Sequence, residues 1–135
     1  MSFSNTTETA ILNYIKNTNP SWHGAASFYW ALHTANPDEA GSAVTSEATY
    51  TSYARVACTR ATDLTVSGNT ISNTNLIQFP TATGGSETIT YASLVTTSSG
   101  AGDIIFSGAL TSSRAVSNGI QPQFAASTGI VFTLD

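Results

Sequence analysis

The chain has 135 residues, of which 41% are hydrophobic and only 9% charged, and it carries a net charge of −4. That length suits one globular core and is short for two, and the acidic balance lacks the basic stripe that neutralises phosphates, so no nucleic-acid partner is expected. No run of about eighteen apolar residues is present, so no membrane span is expected, and polar Met1–Glu8 lacks the basic-then-apolar order of a secretion signal.

An ordinary soluble protein is about 25% charged. Here hydroxyls replace the missing charge, with Ser and Thr together numbering 40. Thr is β-branched and fits a pleated, half-buried surface, which favours an all-β reading. A neutral hydroxyl-rich surface also costs less to desolvate than a charged one, and interface cores are depleted in Lys, Glu and Asp. The composition therefore suits a subunit of an assembly. The lone Cys58 excludes an intramolecular disulfide and any multi-cysteine metal site.

Asn5 precedes Glu8 by three residues, in a capping-box-like arrangement before Ile11, Leu12 and Ile15, which predicts a short N-terminal helix ending by Asn17 to Pro20. Its narrow apolar stripe can dock on a sheet or on a neighbouring subunit, and docking on the sheet of its own chain is the expectation, because short helices need tertiary packing. After Gly24 the period changes to two. Phe28, Trp30 and Leu32 fall on one face of a central strand, with Ser27, Tyr29, Ala31 and His33 on the other. Asn36 to Gly41 reads as an exposed turn. Tyr50 to Thr59 reads as extended, and Thr65 to Ile71 as two short strands about a Ser-Gly-Asn hairpin turn.

Leu76 to Phe79 forms the next strand, closed by Pro80. Gly84-Gly85 leads into the longest run, Thr88 to Thr96, and Ser98 to Asp103 reverses the chain. Ile104 to Leu110, Ala115 to Ser117, Gln121 to Ala125 and Ile130 to Leu134 complete about 8–10 short strands at the spacing of an antiparallel sandwich or a jelly-roll-like barrel. The expected organisation is a single domain over 1–135, with an N-terminal arm and helix in 1–24 and a β-sandwich in 25–135.

The reactive residues form no recognisable constellation, so no catalytic residue, cofactor or metal is expected. His23 and His33 lie outside any metal-ligand spacing. A Cys58 nucleophile with His33 as base lacks a local signature. Asp38 and Glu39 are neighbours in a Pro-containing turn rather than carboxylates facing each other across a cleft. Arg55, Arg60 and Arg114 are few enough to single out. Arg is enriched at interfaces, although a surface or intrachain ion pair is the commoner use.

The order of residues from Phe28 through Ala31-Leu32-His33-Thr34-Ala35-Asn36-Pro37-Asp38-Glu39-Ala40-Gly41, then Tyr53-Ala54-Arg55, Ile71-Ser72-Asn73 and Ile77-Gln78-Phe79-Pro80, resembles a family of small tailed-phage virion proteins. The resemblance continues through Gly108-Ala109-Leu110-Thr111, Val116-Ser117-Asn118-Gly119 and Phe124-Ala125-Ala126, and so covers nearly the whole chain. Members are often labelled tail fibre proteins, and similar small proteins decorate capsids as cement subunits. Gly84-Gly85-Ser86-Glu87 stands where the family carries a tryptophan-containing segment. The resemblance implies a structural virion protein, made in the bacterial cytoplasm, with no catalytic motif.

A compact domain of this length has a radius of gyration of about 14 Å, and the chain has no fibrous repeat, heptad stalk or collagen-like segment to extend it. The sequence therefore favours capsid decoration, as a homotrimer clamping the major capsid protein, over a tail fibre or tail-tip role. The partner-binding candidates are Ser2 and Phe3 in the N-terminal arm, Asn36, Pro37, Asp38 and Glu39 in the turn, and Arg55 and Arg114.

Overall fold

The computed structural model describes residues 1–134 and is an all-β sandwich with one N-terminal helix. Strand β1 (Ser2–Phe3) precedes helix α1 (Asn5–Ile15). The strands β2 (Ser27–His33), β3 (Val56–Thr59), β4 (Leu64–Ser67), β5 (Thr70–Asn73), β6 (Ile77–Gln78), β7 (Ser86–Val95), β8 (Ile104–Ser117), β9 (Gln123–Phe124) and β10 (Val131–Thr133) follow. One layer is a five-stranded sheet in the order β1-β8-β7-β2-β3, the other is a three-stranded sheet, β10-β5-β4, and β6 and β9 form a separate two-stranded pair. Every pairing is antiparallel. All three sheets stay open among the described residues, so of the two expected architectures the sandwich forms and no barrel closes.

Alternation in β2 places Phe28, Trp30 and Leu32 in the main core, as their period-two spacing predicts. The other face is also buried toward the His33 end, where Ala31 joins Ala43, Val95 and Ile104 in a second cluster. Aromatic rings bridge the two layers. Phe106 of β8 stacks on Phe132 of β10 at 4.8 Å, Phe3 meets Phe132 at 4.5 Å, and Trp30 turns its edge toward Phe106 at 6.2 Å. Apolar burial of this kind is the main stabilising term of the fold.

The Gly68-Asn69 turn joins β4 to β5 with Gly68 at φ 60°, a conformation that costs glycine nothing. Two expected strands, Ile104 to Leu110 and Ala115 to Ser117, merge into the single long β8. Opposite it the register jumps, with Tyr91 facing Ala109 and Ile89 facing Arg114, so the residues from Leu110 to Ser113 bulge from the ladder. Of the expected extended segment Tyr50 to Thr59, only β3 joins the five-stranded sheet; Thr51 makes an isolated bridge to Gly84.

Helix α1 departs from expectation in its start and in its docking. Its N-cap is Ser4 rather than Asn5, and the Ser4 hydroxyl accepts from the Thr7 backbone N–H at 3.2 Å. That hydroxyl also donates to the Ile104 carbonyl, which receives the Thr7 hydroxyl at 3.0 Å as well. The helix is thus tied to β8 by two buried hydroxyls. Of the predicted stripe Ile11 is half-buried, whereas Leu12, 68% exposed, and Ile15, 77% exposed, do not dock on the sheet of their own chain. Replacing Ser4 by Ala is expected to cost about 1 kcal/mol, the usual worth of an N-cap, and is checked by urea unfolding with helix content followed in parallel.

Candidate interaction surface

The fold brings together the N-terminal arm and the turn after β2, which lie far apart in the sequence. The Asn5 backbone N–H donates to the Glu39 carbonyl at 2.9 Å. Asn36, Asp38 and Glu39 are exposed, as a turn predicts, whereas Pro37 is buried. The Asn36 side chain accepts from the Asp38 N–H at 3.0 Å, Asp38 takes the left-handed conformation at φ 59°, and the Gly41 N–H closes on the Asp38 carbonyl at 3.2 Å. A Cβ at Gly41 would collide with the Pro37 carbonyl oxygen, so the turn needs glycine there. Pro37 therefore serves as an inward anchor of the turn and is not free to meet a partner.

Ser2 is exposed, but Phe3 is not part of a free arm. Both residues add an edge strand to β8, opposite Ser107 and Phe106, and the Phe3 ring packs on Phe132. A two-residue strand is too short to show periodicity, and its partner lies about a hundred residues away. Nothing local in the sequence could reveal that pairing.

Arg55 is also removed from the free surface. Its side chain is 2% exposed and grips Glu47 through two bonds, Nε to Oε1 at 2.6 Å and a terminal nitrogen to Oε2 at 2.8 Å. The same terminal nitrogen also donates to the Gly100 carbonyl at 2.8 Å, and the other terminal nitrogen donates to the Thr97 carbonyl at 2.9 Å. Tyr53 donates its hydroxyl to Glu47 at 3.0 Å and accepts the Leu32 N–H at 3.1 Å. Burial, with Glu47 nearby, pushes the Tyr53 hydroxyl far above its ordinary range and keeps it a donor. This is a closed intrachain network. Arg114 is exposed, with its guanidinium 5.1 Å from the Phe124 ring.

The reactive side chains lie apart. His33 is fully buried, one ring nitrogen 2.9 Å from the Thr45 carbonyl and the other 2.7 Å from the Ser93 hydroxyl. The arrangement fits a neutral ring that donates to Thr45 and accepts from Ser93. Burial lowers its pKa, outweighing the Thr45 carbonyl and Glu47, which raise it. Cys58 pairs with Phe28, five residues before His33, so the two ends of β2 hold them roughly 16 Å apart. Burial and then Asp63 push the Cys58 thiol up to about 12. The geometry separates this pair as nucleophile and base.

The His33 environment sets a pH window. The unfolded imidazole takes up a proton near pH 6.5 while the folded one resists it, so the unfolded state binds more protons as pH falls. Stability is therefore flat above that value and lost below it, by at most ~2 kcal/mol at pH 5 for one proton. Urea unfolding at pH 7.5 and pH 5 should record the loss, and His33→Gln should reduce the difference.

An apolar cleft of about 570 Å³ opens between the five-stranded and three-stranded sheets. Phe28, Leu94 and Ile105 line it from the five-stranded layer, and Val66, Ile71 and Leu134 from the other side. Val66 is 70% exposed. Arg60 lines both this cleft and a neighbouring hollow beside Ile11, Tyr14 and Trp22. Its guanidinium lies 4.6 Å from the Phe28 ring and 5.7 Å from Trp22, and one terminal nitrogen holds the loop at 22–25 by donating to the carbonyls of Ala25 at 2.7 Å, His23 at 3.2 Å and Trp22 at 3.3 Å. Among the described residues no carboxylate forms an ion pair with it.

A family model described as Podophage GP4 fiber I protein gp80 matches residues 2–131. The chain belongs to that family. The match runs from β1 into β10 and so takes in α1, the turn at 36–41 and the cleft lining other than Phe132 and Leu134. No curated protein matches the chain. Membership in the gp80 fibre family makes this a structural component of a phage virion, in keeping with the neutral, hydroxyl-rich exterior.

Proposed function

We propose that the chain is a subunit of a phage fibre, acting through contacts with other virion proteins and performing no chemistry. The family match over 2–131, with its printed fibre description, carries this reading. The burial of Cys58 and the enclosure of His33 between Thr45 and Ser93 also support it. A single sandwich cannot reach far from a particle by itself. It therefore serves as a head, a base or a repeated piece of the fibre, and its partners are copies of itself and neighbouring virion proteins.

Capsid decoration is the second reading, favoured by the absence of any stalk-like element among the described residues. In that role a homotrimer at three-fold positions clamps the major capsid protein, and many modest contacts add up over the shell. Imaging of the particle with this subunit labelled decides between the two. Density on the fibre, with few copies on a virion gel, is the expected result. Hundreds of copies over the shell, with purified protein raising the thermal resistance of empty capsids, would replace the fibre reading by decoration.

A further inference from the structure

We propose that copies of this chain associate by seating helix α1 of one copy in the apolar cleft of the next. The observation behind it is a match within one chain between an unpartnered helix face and an unfilled cleft. Glu8, Leu12 and Ile15 are spaced i, i+4 and i+7, so they share one flank of α1. All three are exposed, and Glu8 has no cationic partner among the described residues. The flank spans roughly 10 Å along the helix axis. It carries one negative charge and two large apolar side chains.

The cleft presents the complement. It is apolar, it is edged by exposed Val66 and Leu134, and Arg60 supplies a cation with no carboxylate in reach among the described residues. Leu12 and Ile15 enter the cleft while Glu8 meets Arg60, which is the helix-in-groove mode of recognition with its charge pair at the edge. The occupant is a second copy because both halves of the match lie on this chain. The contact joins two different patches, so it either closes a ring or continues along a fibre.

This inference rests on the reading of the chain as an assembly subunit. It is tested on the purified full chain in solution, so its failure is distinct from a failure of the fibre assignment, which imaging of the particle tests. Sedimentation velocity should show concentration-dependent association. Leu12→Asp and Val66→Asp, both at exposed positions that leave the core intact, should each weaken it at least ~10-fold. Arg60→Glu and Glu8→Arg should each weaken it as well. The two together should restore it to within a few fold of the natural chain, which loosening of the loop at 22–25 could not do. A chain that stays monomeric at every concentration while an apolar anion such as anilinonaphthalene sulfonate fills the cleft would overturn the proposal, as would Leu12→Asp and Val66→Asp proteins that associate like the natural chain.

Discussion

Replacing Arg55 by Ala is expected to lower stability by about 3–5 kcal/mol, the usual cost of leaving one partner of a buried ion pair uncompensated. Glu47 would lose both of its guanidinium bonds while its own side chain stays largely covered. The damage extends beyond the pair, because Arg55 also holds the carbonyls of Thr97 and Gly100 in the loop between β7 and β8. Tyr53 links the same carboxylate to the Leu32 backbone in β2, so three separated parts of the chain share one charge cluster. Arg55→Lys should give an intermediate loss, since an ammonium keeps the charge but not the two-pronged geometry. Removing both charges in Arg55→Met with Glu47→Leu should cost less than Arg55→Ala alone. Urea unfolding with an unchanged slope reads all three variants. A loss under about 1 kcal/mol for Arg55→Ala would mean that the pair behaves like a surface bridge.

Much of the fold could be read from local pattern. Alternation identified β2, and the Gly-Asn turn located the β4-β5 hairpin because a two-residue connection imposes its own register. The two long strands β7 and β8 were visible as apolar and β-branched runs, although the bulge that joins Ile104 to Ser117 into one element was not. What local pattern missed is non-local. Phe3 looked like part of a loose end because its partners, Phe106 and Phe132, lie near the other end of the chain. Arg55 looked like an interface residue because Glu47, Thr97 and Gly100 converge on it only through folding. Pro37 read as exposed from its turn context, yet the packing around the turn covers it.

The candidate surface was legible in half. Leu12 and Ile15 stood out as an apolar stripe, but the general rule that short helices pack on their own chain pointed it inward. The structure satisfies that need through Ser4 and Thr7 bonding to the Ile104 carbonyl instead, which leaves the stripe outside. A hydroxyl anchor of this kind carries no periodic signal. The cleft is a property of how two sheets meet, and no spacing along the chain encodes it.

Truncating Trp30 to Ala is expected to cost about 3–5 kcal/mol, the usual range for a large aromatic removed from a packed core. Trp30 is 2% exposed and sits on β2 between Val56 of β3 and Leu94 of β7. Its edge meets Phe106, which stacks on Phe132 of the opposite layer. Through that stack the ring braces the five-stranded sheet against the three-stranded one, and the surrounding strands cannot collapse into the space without breaking their ladders. Trp22 is the internal comparison. It is only partly buried, with Phe28 at its edge and Arg60 over its face, so Trp22→Ala should cost about 1–2 kcal/mol. Because the chain has two tryptophans, each variant leaves a single tryptophan to excite selectively over the tyrosines. Unfolding followed by fluorescence then reports from Trp22 in one variant and from Trp30 in the other. Equal losses for the two would contradict the placement of Trp30 at the centre of the core.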